Sequence, residues 1–143
     1  MEALAGVASV VAVVQAADRI ITLCANYASA VKDAKEDIER LRSEVEAFHK
    51  VLKSVSEMAN SGEMELHTSQ SVLQELVGTI TECKSLYSDL EAQLDPGKGR
   101  KMMDRFGLRA LKWPLKSKDV IKVAESLNRY KGTITLALNL DQR

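Results

Sequence analysis

The 143-residue sequence predicts an all-α fold, an antiparallel bundle of four main helices plus one short helix. Apolar residues make up 45% of the chain, enough to build a core, while aromatics are only 4% and proline occurs twice, a balance that favours helices over pleated sheets. Ile38, Leu41, Val45, Phe48, Leu52, Val55 and Ala59 recur at alternating spacings of three and four, the stripe of one long amphipathic helix. On its other face Glu36 with Arg40, Arg40 with Glu44 and Arg42 with Glu46 are i,i+4 pairs, which marks that charge run as a solvated surface. No longer period repeats, so a solenoid is excluded and residues 1–143 read as a single helical-bundle domain.

The first helix spans about residues 3–31 and opens "EALAGVASVVAVVQAADRII", with no formal charge from Ala3 to Ala17. Leu4, Val7, Val10, Val11 and Val14 form its wider face, and Ala5, Ala8, Ala12 and Ala16 line another side at spacings that let backbones approach closely. A helix apolar all round is expected at the buried centre of the resting bundle, with Val7, Val11 and Val14 inside; later release of such a helix is compatible with that placement. A signal peptide does not fit, because Glu2 stands where a basic residue belongs and the helical pattern runs through the only cleavage-like site. A permanent membrane span does not fit either: fifteen uncharged residues rise about 22 Å against a hydrocarbon core of about 30 Å. A longer span takes in Asp18 and Arg19 at about 2.5 to 3.5 kcal/mol each.

The second helix spans about residues 34–59 and stops at Asn60-Ser61-Gly62. The third, about 69–94, carries Leu73, Leu76 or Val77, Ile80, Cys83, Tyr87, Leu90 and Leu94, and ends at Asp95-Pro96-Gly97. A short helix fits about residues 101–111. Pro114 then blocks helix through Trp113, and Ser117 reads as the N-cap of a last helix over about 117–139. That helix runs through Val120, Ala124, Leu127, Tyr130 or Lys131, Ile134 and Leu138, with Gly132 as a weak point.

The formal charge of zero hides a division along the chain. Residues 1–94 hold eight basic and fifteen acidic side chains; residues 95–131 hold eleven basic and four acidic. A basic segment of that density is either an ordinary solvated surface or a contact for anionic lipid head groups. Nucleic acid is a weaker partner, since stacking aromatics are few.

Catalytic chemistry has little support, and no enzyme activity, cofactor or metal is expected. His49 and His67 belong to no Cys/His or Ser/His/Asp arrangement, and the two histidines and two cysteines lack zinc spacing. Cys24 and Cys83 fall on apolar faces and read as reduced core thiols, in keeping with a cytosolic protein. Asp95-Pro-Gly-Lys-Gly-Arg lacks phosphate-loop spacing and reads as a turn. Trp113, beside Lys112 and Lys116, reads as a packed residue or a membrane-interface anchor.

Taken in order, "MEALAGVASVVAVVQAADRI", "AKEDIERLRSEVEAFHKVL", "LRALKWPLKSKDV" and "ESLNRYKGTITLAL" resemble the N-terminal domain of fungal NOD-like (STAND) receptors, a group that includes the HeLo-like cell-death domains. The resemblance covers nearly the whole chain, and the Trp-Pro element is its most specific part. It implies a helical bundle that oligomerises after a signal and permeabilises the plasma membrane through its N-terminal helix, having been cytoplasmic at rest. Leu4, Val7, Val10, Val11 and Val14 would then act in the membrane. The charge count, not the resemblance, assigns Lys98, Arg100, Lys101, Arg105 and Arg109 to anionic lipid. The partners implied are further copies of the chain, an anionic phospholipid membrane, and an upstream NOD-like receptor or a downstream domain of the same chain. No nucleotide-binding, ankyrin or amyloid-forming segment follows Arg143, so the trigger is expected on a longer chain or on another protein. The alternative is a helical self-assembly or interaction module that never enters lipid.

Overall fold

The computed structural model describes the backbone at residues 2–61, 70–95 and 112–141, and side chains at 8–58, 71–95 and 112–137. Four α-helices account for nearly all of it: α1 Glu2–Ala30, α2 Lys35–Ser61, α3 Gln70–Leu94 and α4 Ser117–Asp141. The fold is an all-α bundle. The short helix anticipated at about 101–111, and His67, lie outside the described residues.

Each helix turns one apolar seam inward. On α2, Ile38, Leu41, Val45, Phe48, Leu52 and Val55 are all buried, because spacings of three and four keep one face on the core while charged residues cover the other. On α3 the inward residue is Leu76, and Val77, one position on, is exposed. Tyr130 is buried on α4 while Lys131 stays at the margin.

Packing follows a square. α1 lies against α2 and α3, and α4 lies against the same two helices. The Asp18–His49 contact and the tight α1–α2 turn make that pair antiparallel. Tyr27, near the end of α1, donates its hydroxyl to the Leu94 carbonyl at the end of α3, so α1 and α3 run the same way. Ser117, at the start of α4, reaches Asp37 at the start of α2, so those two are also parallel neighbours. Direction thus alternates along the chain, and α1 and α4 occupy opposite corners.

That arrangement corrects the expectation of a central α1. A square of four helices has no interior position, so every helix keeps an outward face. Val11 points outward at 39% exposure, whereas Val10, Val13, Ala17, Ile20, Cys24 and Tyr27 form the buried seam.

Helix starts show a second difference. The Lys116 carbonyl accepts from the Asp119 and Val120 amides (2.9 and 3.0 Å), so Lys116 holds the cap position and Ser117 lies inside the first turn. The Ser117 hydroxyl is therefore free to turn sideways and donate to Asp37 Oδ2 at 2.7 Å. α2 starts in the same way: the Ala34 carbonyl accepts from the Ile38 amide, and Glu36 and Asp37 place negative charge at the positive end of the helix dipole.

Aromatic rings join three of the four helices. Phe48 of α2 meets Tyr87 of α3 edge-on, with centroids 6.4 Å apart, and Tyr130 of α4 at 6.2 Å. α1 sends no ring there. Its one aromatic, Tyr27, sits at its end, where the Trp113 ring packs edge-on at 5.2 Å. Trp113 is therefore a packed residue, half-buried with its indole Nε1 inside the protein.

Candidate functional site

The first helix is the candidate site because it is the one described helix long and apolar enough, by length and composition, to cross a membrane. Its stretch Ala8–Ala30 has 23 residues, which rise about 35 Å and exceed a hydrocarbon core of about 30 Å. The fifteen-residue count stops at Asp18; beyond Arg19, Ile20, Ile21, Leu23 and small uncharged residues carry the apolar character on to Ala30, with the charged pair mid-stretch. Only a third of the stretch is buried in the bundle. The exposed side carries Ala8, Val11, Gln15, Thr22, Ala25 and Ser29, small or uncharged side chains throughout.

Asp18 and Arg19 interrupt that surface, and each reaches a different neighbour. Arg19 Nε lies 3.2 and 3.1 Å from the two carboxylate oxygens of Glu91 on α3, and Nη2 lies 3.0 Å from Oε1, a forked ion pair. Asp18 Oδ1 lies 3.0 Å from His49 Nε2 on α2, at ion-pair distance without the alignment of a hydrogen bond. His49 thus gains an acidic neighbour from α1. The Arg19–Glu91 pair stands at the water boundary and contributes up to about 1 kcal/mol. The larger effect of the two contacts is on register: they clasp the middle of α1 to both of its neighbours.

The sequence-predicted membrane residues divide across this helix. Val10 is in the core, Val14 packs partly buried against it, and Val11 faces outward. Leu4 and Val7 lie on α1, and their side chains are outside the described residues. Lys98, Arg100, Lys101, Arg105 and Arg109 are also outside them. Sequence reasoning missed Val13, which is fully buried; its three-residue step from Val10 and four-residue step to Ala17 is the signal that points to it.

Neither cysteine is an activated nucleophile. Cys24 and Cys83 are free, buried thiols whose pKa values burial pushes up to about 12, which keeps them protonated and inert. Burial likewise raises the Tyr87 and Tyr27 phenols above their ordinary value, with Asp95 adding to the effect at Tyr27. No group of three or more His, Cys, Asp or Glu side chains is placed to hold a metal ion among the described residues.

Residues 1–141 match the family described as pigment biosynthesis cluster protein PigL N-terminal, and the chain belongs to that family. This is not the HeLo-like family that the quoted stretches resemble. No curated protein and no solved structure matches the chain.

Proposed function

We propose that this member of the PigL N-terminal family is a membrane-permeabilising, cell-death effector domain, which oligomerises on activation and acts through α1. The observation that carries this reading is a helix of membrane-crossing length and composition that buries only a third of its apolar stretch fully. α1 is held by a seam of mostly small aliphatic residues, the Arg19–Glu91 ion pair, the Asp18–His49 contact and one terminal tyrosine, while aromatic contacts join α2, α3 and α4. On this reading the domain rests in the cytoplasm and moves to the plasma membrane. Leu4, Val7, Val10, Val11 and Val14 enter lipid, Lys98, Arg100, Lys101, Arg105 and Arg109 meet anionic head groups, and Asp18 and Arg19, midway along Ala8–Ala30, face a water-filled interior. The trigger would come from an upstream NOD-like receptor or from another domain of the same chain.

The exposed small-residue side of α1 favours a second reading, a helical module that assembles with itself and leaves membranes intact. Dye release from vesicles with and without anionic lipid separates the two. Leakage that disappears in Leu4→Glu, with helicity and melting unchanged, supports the effector. Normal leakage from a folded Leu4→Glu protein, or tight self-association beside intact vesicles, overturns it in favour of the module.

A further inference from the structure

The outer face of α4 carries a surface that neither the core nor α1 uses. Lys118, Lys122, Arg129 and Leu136 fall within a narrow arc of the helix, and Ile121 flanks them, all opposite the buried Val120, Leu127 and Ile134. Leu136 is 61% exposed and Ile121 is 41% exposed, two of the four large apolar side chains that stand in solvent among the described residues. Glu125 is the one acid within the arc. Lys112 and Lys116, in the segment leading into α4, add two exposed cations at one end. Described residues 112–137 hold six basic and two acidic side chains, whereas 8–58 and 71–95 hold eight and thirteen, so the net positive charge belongs to α4 and the segment leading into it.

From this placement we infer that the outer face of α4 is a docking surface for an anionic lipid bilayer. Isolated apolar side chains set among lysines on an exposed helix match the interfacial region of a membrane: the aliphatic groups enter the head-group boundary while the cations meet lipid phosphates and carboxylates. The flexible stems of Lys118 and Lys122 extend the apolar contact around Ile121. Arg129 lies with its guanidinium carbon 5.4 Å from the Tyr130 ring, which keeps the charge close to the helix. Because α4 and α1 sit at opposite corners, a bundle docked this way turns the outward face of α1 from the bilayer. The surface is therefore an anchoring site separate from the membrane-acting helix, and it stands whether or not α1 permeabilises lipid.

Co-sedimentation of the full chain with vesicles of phosphatidylcholine alone, or mixed with phosphatidylserine, tests this. Binding should require phosphatidylserine and weaken with salt. Lys118→Glu/Lys122→Glu/Arg129→Glu should weaken it more than tenfold, since each charge near an anionic surface is worth about a fivefold change in partitioning. Leu136→Ser/Ile121→Ser should weaken binding at high salt most, where the apolar contribution remains. The control Lys50→Glu/Lys53→Glu, exposed on α2, should bind within about threefold of the parent. The inference is overturned if the folded triple variant binds like the parent, if the control loses as much, or if the parent ignores phosphatidylserine vesicles and retains only an acidic protein or a nucleic acid. Vesicles bound through α4 but left intact would sink the effector reading alone; leakage by a triple variant with parent-like binding would sink the docking surface alone.

Discussion

Val11 and Val13 lie two positions apart on α1 and should respond differently to the same truncation. Val13 is fully buried, so Val13→Ala removes two methyl groups from a packed seam and should cost about 1 to 3 kcal/mol in urea unfolding. Val11→Ala, on the outward face, should stay within about 0.5 kcal/mol. The sequence alone could not assign these sides. Leu4, Val7, Val11 and Val14 have helical spacing, and so do Val10, Val13, Ala17 and Ile20; an apolar run with no charged residue opposite it has no phase. The thiols were legible, because Cys24 and Cys83 continue seams defined by larger neighbours. They predict a pH response. The folded thiols titrate near 12 and exposed ones near 9, so below pH 9 both states are protonated and stability is unaffected. Above pH 9 the unfolded state loses protons that the folded state keeps, and stability falls by about 1.4 kcal/mol per pH unit per thiol. Melting followed from pH 7 to 11 should show that fall, reduced in Cys24→Ala/Cys83→Ala; equal slopes in both proteins would contradict the assignment.

Among the elements, α2 was the most legible and α1 the least, for one physical reason. α2 separates charge from apolar residues so cleanly that its seam follows from spacing, and Ile38 through Val55 are buried accordingly. The position of α1 depends on partners distant in sequence: Glu91 lies 72 residues from Arg19, and His49 lies on another helix from Asp18. No local pattern encodes such pairs. Ser117 shows the same limit, since its neighbour Asp37 is 80 residues away and draws the hydroxyl away from a capping role. The clasp should govern opening of α1 more than global stability. A double-mutant cycle on Arg19→Ala and Glu91→Ala should give a coupling of about 0.3 to 1 kcal/mol. Hydrogen exchange in Arg19→Ala/His49→Ala should quicken at amides 8–30 and remain slow around Phe48 and Tyr87. Acceleration spread evenly over all four helices would show that α1 opens only when the whole bundle does.

At the scale of the whole molecule, the square packing connects release with assembly. α1 covers seams on both α2 and α3, so its departure uncovers apolar surface on two helices at once, while the contacts of Phe48 with Tyr87 and Tyr130 remain available to hold α2, α3 and α4 together. A three-helix remainder with an open apolar side is a poor monomer in water. The least costly way to cover that side is with further copies that have undergone the same change, so on the effector reading oligomerisation follows from release and needs no separate interface in the resting state. Tyr27 is the natural place to shift this balance: its hydroxyl satisfies the Leu94 carbonyl at 2.6 Å, and its ring carries Trp113. Tyr27→Phe removes the hydrogen bond and keeps the ring, which should lower stability by about 1 kcal/mol and shorten the lag before vesicle leakage. Leakage rate should also rise more steeply than the first power of protein concentration in both proteins, because several released copies must combine. A strictly linear dependence, with an unchanged lag in Tyr27→Phe, would mean that each chain acts alone and that release of α1 does not limit the rate.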